Sequence, residues 1–199
     1  MNLPNKLTLS RFALTVAFLG VMFSRMPYRE TVALAFFVAA GISDFLDGQI
    51  ARRCNLITNF GILMDPLADK IMVCSAFIAF VELGWFAAWM TVIIVARELA
   101  ITGLRLLAAS KNVVLAAERY GKHKTISQIV AVIAIFIDQI TRQNQWGSVG
   151  NAIFGWHLFG VHSWTWWVAT IFKWVAVALT FISGWVYLWK NRRLYLDDM

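Results

Sequence analysis

Apolar residues along this chain fall into six runs long enough to enter a membrane, with short polar stretches between them. The first run covers roughly Leu9 to Phe23, and Arg25 to Glu30, with Pro27, follows as a polar turn. The second, Thr31 to about Leu46, continues into an acidic segment that ends at Arg52 and Arg53. After a polar connector, Asn55 to Gly61, the third runs from about Leu63 to Val81 and is closed by Glu82 and Gly84. The fourth spans Trp85 to roughly Ala109, the fifth Thr125 to Ile140, and the sixth Trp164 to Trp189. Residues 1–8 predict an interfacial segment leading into the first span. Residues 141–163, rich in Gly, Asn, Trp and His, predict a longer loop with an interfacial aromatic helix. The expected fold is an all-α integral membrane protein of six transmembrane helices, one membrane-embedded domain over residues 1–199.

Composition agrees with that pattern. The chain is 60% hydrophobic, with mean hydropathy +0.66 and ten Trp, more apolar surface than a soluble domain of 199 residues can bury. The N-terminus has no small-residue cleavage site, which predicts a retained first span and not a removed signal peptide. Cys54 and Cys74 have neither disulfide nor metal-ligand spacing and read as structural or incidental.

Net charge is +7 and the sequence pI about 9.8. The cations lie between apolar runs and not on a soluble basic face, which argues against nucleic-acid binding and for anionic lipid or phosphorylated substrate. With six spans, Lys6 and Arg11, Arg52 and Arg53, Lys111 to Lys124, and Lys190 to Arg193 fall on one face. The positive-inside rule then puts both termini and the acidic segment on the cytoplasmic side of the cell membrane. Trp146, Trp156, Trp164, Trp166 and Trp167 form the opposite interfacial belt.

The candidate chemistry lies in residues 44–69, DFLDGQIARRCNLITNFGILMDPLAD. Four of the chain's eleven acidic residues are here: Asp44, Asp47, Asp65 and Asp69. Spacings of three and four put each pair on one helix face. Charged carboxylates crowded at a membrane boundary need partners. An all-oxygen donor set suits Mg²⁺ or Mn²⁺, with two ions expected. Gly48, Ala51 and Gly61 leave room for a bulky ligand against the backbone, and Arg52 suits phosphate oxygens. Pro66 predicts a helix start with Asp65 as its cap, a role compatible with metal ligation.

Asp-x-x-Asp-Gly-x-x-Ala-Arg, eight residues, then Gly-x-x-x-Asp-x-x-x-Asp resembles the complete signature of the CDP-alcohol phosphotransferase family, with no position departing from it. Asn2 to Arg11, Ala96–Arg97–Glu98 with Leu104–Arg105, and Gly121 to Thr125 resemble the branch that uses sn-glycerol 3-phosphate as acceptor. The resemblance is strong to about Thr125 and weak beyond it. It implies a six-helix membrane enzyme, homodimeric, with its site open to the cytoplasmic leaflet. It implies transfer of a phosphatidyl group from CDP-diacylglycerol to sn-glycerol 3-phosphate, giving phosphatidylglycerophosphate and CMP. By position, Asp44, Asp47 and Asp65 would hold metal, and Asp69 would be both a metal neighbour and the general base. Asp44, Asp47, Gly48, Ala51, Arg52 and Gly61 would contact the CDP moiety.

The acceptor phosphate needs cations, and Arg97, Arg105, Arg119, Lys122 and Lys124 are the candidates. Arg97 and Arg105, eight apart, share a helix face, and Glu98 is a candidate anionic partner for one of them. Asp138 and Lys173 are expected to pair or to lie near the far headgroups; His157 and His162 carry no metal reading, and His123, between Lys122 and Lys124, reads as a solvated loop residue, with phosphate binding the alternative. The alternatives are a family member with inositol phosphate, serine or a phospholipid as acceptor, and a divalent-cation transporter. CMP release, acceptor dependence and ion flux separate them.

Overall fold

A computed structural model describes the backbone of residues 3–54, 59–111, 120–154, 156–158 and 162–192, and their side chains except at 3–9, 44–54, 59–69, 120–122, 151 and 157–158. Among these residues the chain forms α1 (Leu3–Met22), α2 (Arg29–Cys54), α3 (Asn59–Glu82), α4 (Ala88–Ser110), α5 (Tyr120–Arg142), α6 (Gly147–Phe154), β1 (His157–Leu158), β2 (His162–Ser163) and α7 (Trp164–Lys190). The protein is mostly helical. Two helical segments, His123–Arg142 and Trp164–Lys190, are long and apolar enough to cross a membrane.

Each long helix extends beyond the apolar run that predicted it. α1 begins within the expected interfacial segment, and α2 continues through Asp44, Asp47 and Arg52. Hydrophobicity marks only the apolar part of a helix, while backbone hydrogen bonding continues into the polar ends. Two local expectations change for this reason. Gly61 lies in the first turn of α3 and not in a connector, and Asp65 lies inside α3, which starts at Asn59, so it is not an N-cap. Pro66 is within the helix too, where it supplies no amide to the Ile62 carbonyl.

Two helix ends show how the turns are built. After α3, Gly84 adopts φ 72°, Trp85 N donates to Phe80 O at 2.8 Å and Gly84 N to Val81 O at 3.0 Å. That is a Schellman end, and the left-handed residue is the expected glycine. After α5, Asn144 takes the same place at φ 52°, with Gln145 N donating to Ile140 O and Asn144 N to Thr141 O. Gln143 and Gln145, on either side of Asn144, both reach back to α2. Gln143 Nε2 donates to Glu30 Oε1 at 2.9 Å, and Gln145 Nε2 donates to Glu30 Oε2. Arg29 Nε completes the set at 2.7 Å. Glu30 is fully buried. Burial alone would raise its pKa, but the hydrogen bonds from Arg29, Gln143 and Gln145 outweigh it and hold the carboxyl below its ordinary value of 4.5.

The same end of the bundle carries the aromatic belt. Trp146 meets Phe154 at 5.5 Å, Phe154 stacks on Trp164 at 5.8 Å, and His162 stacks on Trp166 at 4.0 Å. Asp138 and Lys173 do not pair with each other directly. Asp138 Oδ2 accepts from Arg142 Nε at 2.9 Å and Oδ1 from Thr165 at 3.2 Å, while Lys173 Nζ donates to the Trp85 carbonyl at 2.7 Å. One turn of α5 brings Arg142 closer to Asp138 than α7 brings Lys173.

The core is aromatic and small at once. Phe80 and Phe136 meet edge-to-face at 5.1 Å, Phe18 reaches Phe136 at 6.2 Å, and Phe77 reaches Phe86 at 4.8 Å. Ala33, Ala76, Ala79, Ala131 and Ala176 are buried among them and let the helices approach closely. α1 packs on both α2 and α3, and α7 packs on α4 and α5. The outer surface is apolar as well, with Trp89, Leu99, Trp174, Phe181 and Trp185 all exposed. An apolar interior inside an apolar surface suits lipid and not water.

Candidate functional site

Asp44, Asp47, Gly48, Ala51 and Arg52 lie on the second half of α2, and Gly61, Asp65 and Asp69 on the first half of α3. The two helices touch, and 55–58 between them lies outside the described residues. The side chains of all eight motif positions lie outside the described residues. Arg119 does too, as does the side chain of Lys122 on the first turn of α5. Among described residues no group of three or more His, Cys, Asp or Glu is placed to hold a metal ion. The carboxylate-only donor set of the motif fits a hard divalent cation.

Next to the motif's last residue, the structure assembles a charged cluster. Lys70, which follows Asp69 on α3, donates to Thr102 Oγ1 of α4. Thr102 is anchored in turn by donating to the Glu98 carbonyl at 2.8 Å. Glu98 is buried, and its Oε1 meets Arg97 Nη1 at 3.3 Å and the ammonium of Lys124. Lys124 is itself buried, one turn into α5, and feels the charges of Lys70 and Arg97. The expected connector therefore gives way to helix at this point, and Lys124 faces the bundle while His123 beside it is exposed.

Arg97 and Arg105 share a face, as their spacing predicts, and that face meets α7. Arg97 lies over Gly184; Arg105 Nε approaches the Tyr187 hydroxyl at 3.5 Å, with its Cζ 5.8 Å from the ring centre. Arg97 is only 13% exposed, and its Nε has no hydrogen-bond partner among the described residues. Glu98 thus meets Arg97 and Lys124, with Lys70 tied to the same stretch of α4 through Thr102 and Arg105 on the Arg97 face of that helix. A buried guanidinium nitrogen without an acceptor is costly. Chemically, the cluster offers cationic hydrogen-bond donors on α4 and α5, next along the chain from a carboxylate-rich motif.

Comparison with known proteins agrees with the motif. A family model described as CDP-alcohol phosphatidyltransferase matches residues 1–182. The chain belongs to the CDP-alcohol phosphatidyltransferase family. Family membership makes it an enzyme of a membrane-bound transferase family that uses divalent metal ions. It is 37% identical to a CDP-diacylglycerol–glycerol-3-phosphate 3-phosphatidyltransferase of Bacillus subtilis, over 96% of this chain and 95% of the relative. Proteins of the same name in Cereibacter sphaeroides and Rickettsia bellii are 31% and 32% identical, over 99% and 94% of this chain and 98% and 93% of theirs.

Sequence reasoning missed Thr102, Gly184 and Tyr187. Thr102 and Tyr187 sit singly in apolar runs and belong to no motif. Gly184 offered one weak signal, a glycine in the middle of a predicted span.

Proposed function

We propose that this member of the family transfers the phosphatidyl group of CDP-diacylglycerol to sn-glycerol 3-phosphate, releasing CMP and phosphatidylglycerophosphate. The supporting observation is the buried cluster of Arg97 and Lys124 on Glu98, tied through Thr102 to Lys70, the residue after Asp69, with Arg105 on the Arg97 face of α4. A plain alcohol acceptor would not need it; a phosphorylated one would. The names of relatives covering nearly the whole chain support the same acceptor.

In this reading Asp44, Asp47, Asp65 and Asp69 hold the divalent ions, which supply polarisation of the diphosphate and charge neutralisation for departing CMP. Gly48, Ala51 and Gly61 give the nucleotide room against α2 and α3, and Arg52 meets its phosphate oxygens. Arg97 and Arg105, with Arg119, Lys122 and Lys124, hold the acceptor phosphate and aim its free hydroxyl at the donor. Asp69 takes the hydroxyl proton; the oxygen forms a bond to the β-phosphorus, the bond from that phosphorus to the CMP oxygen breaks, and CMP leaves with the electron pair.

The six helices of 20–27 residues carry the six spans of this reading, their polar ends lying outside the apolar layer, with α6 and the β1–β2 pair at the far interface. Both termini and the site face the cytoplasm, because the cation-rich ends fall there. The working unit is a homodimer in the cell membrane. CMP release from CDP-diacylglycerol and Mg²⁺ by detergent-purified protein, with acceptors supplied one at a time, tests the reading. Release that requires glycerol 3-phosphate is the expected result. Release with serine instead would reassign the cation cluster, release with inositol phosphate or a phospholipid would change the acceptor and keep the cluster's phosphate role, and ion flux without CMP release would favour a transporter.

A further inference from the structure

Two residues of α7 lie against the two arginines of α4, and neither belongs to the motif or to its flanking stretches. A methyl group on Gly184 would lie 2.7 Å from Arg97 Cγ and 3.6 Å from its Cβ. Carbon atoms do not approach that closely, and these atoms are at the root of the side chain, where turning the guanidinium gives no relief. Three residues on, Tyr187 is buried, with its hydroxyl at Arg105 Nε and its ring facing Arg105 Cζ. Positions 184 and 187 share one helix face, as 97 and 105 do on α4. Glycine inside a helix is inferior to alanine in intrinsic propensity, so this glycine works against the helix it sits in. What it provides is the space in which the Arg97 stem lies.

We propose that Gly184 and Tyr187 are positioning residues for the acceptor site: α7 sets where Arg97 and Arg105 stand, and so sets affinity for a phosphorylated alcohol. This rests on the reading of those arginines as acceptor-phosphate ligands. Arginine loses much rotamer freedom when it grips an anion, and a stem already seated on Gly184 has lost part of it beforehand. Tyr187 acts on Arg105 in the same way, by a hydroxyl acceptor and a ring face.

The test is the Michaelis constant for each substrate, read from CMP release in detergent with the other substrate saturating. The variants are Gly184→Ala, Arg97→Ala, the double variant and Tyr187→Phe. Gly184→Ala is expected to raise the KM for glycerol 3-phosphate about tenfold and to leave that for CDP-diacylglycerol within about twofold. In the Arg97→Ala background, where the clashing Cγ is gone, the same change is expected to add nothing. Tyr187→Phe is expected to raise the acceptor KM about threefold. Independent, multiplying effects of Gly184→Ala and Arg97→Ala would overturn the proposal, as would equal rises in both KM values. An effect of Arg97→Ala without one of Gly184→Ala overturns the positioning role and leaves the acceptor reading standing. No effect of Arg97→Ala removes that reading, and the proposal with it. If Gly184→Ala does not fold, Tyr187→Phe decides alone, and an unchanged acceptor KM overturns the proposal.

Discussion

Glu98 of α4 and Lys124 of α5 form a buried ion pair, their side chains 6% and 5% exposed. Arg97 shares the same carboxylate oxygen, so Glu98 neutralises two cations held by different helices. Removing the carboxylate leaves both without it, and breaking such a buried pair from one side typically costs about 3–5 kcal/mol. Glu98→Gln keeps the shape and is expected to lower thermal stability in detergent by that order. A loss below about 1 kcal/mol, the range of exposed pairs, would mean that α4 and α5 do not depend on this contact.

At the opposite end, Glu30 makes a pH prediction. Its carboxyl is held below 4.5 in the folded protein by Arg29, Gln143 and Gln145, so it binds its proton more weakly folded than unfolded. The stability it contributes is therefore present above pH 4.5 and is lost as pH falls through the lower, folded value. Hydrogen bonds to a charged group are each worth about 1.5–3 kcal/mol, so Glu30→Gln should destabilise at neutral pH by at least that order. Unfolding measured in steps from pH 7 downward should show wild type and variant converge below 4.5. A gap independent of pH would mean that the charge on Glu30 plays no part.

These two carboxylates mark where the sequence was readable and where it was not. Glu98 beside Arg97 could be read as a partner because both lie on one helix, where spacing gives the face. The Glu30 network joins residues 113 and 115 positions apart, and no local pattern predicts that the turn after α5 will fold over the start of α2. The helices themselves were legible as apolar runs, and Gly84 as a helix end, because a left-handed residue there favours glycine. Their polar extensions were not, so Gly61 was expected in a connector and Asp65 at a cap. The motif was legible by spacing alone. The seat that α7 provides for Arg97 was not, since it depends on packing between elements 87 residues apart.

Arg105 gives a test that separates acceptor from donor. Its guanidinium stands at Tyr187, on the same helix face as Arg97. Arg105→Ala is expected to raise the KM for glycerol 3-phosphate by about 10-fold or more, with the CDP-diacylglycerol KM little changed. Equal effects on the two substrates would show that Arg105 supports the fold and not the acceptor phosphate.

Metal dependence follows from the four carboxylates on α2 and α3. Chelation with EDTA is expected to abolish CMP release, and added Mg²⁺ or Mn²⁺ to restore it. Asp44→Ala should lose metal-dependent CDP-diacylglycerol binding along with turnover, measured as binding of the donor with and without Mg²⁺. Activity that survives exhaustive chelation would remove the ions from the reaction and leave the clustered carboxylates without an account.

Asp69 is the sharpest case, because it is assigned both a metal-neighbouring place and the proton transfer. It lies one residue before Lys70, whose bond to Thr102 links the end of the motif to α4 and its arginines. A base between donor and acceptor belongs at such a junction. Asp69→Asn keeps an oxygen ligand of the same size but removes the proton acceptor, so donor binding should persist while turnover falls. General-base catalysis by a positioned side chain contributes about 10²–10⁴-fold, and the loss in kcat should lie in or above that range. Measuring CDP-diacylglycerol binding and CMP release on the same preparation separates the two roles. Loss of donor binding in step with turnover would make Asp69 a metal ligand alone, and turnover like wild type would exclude it as the base.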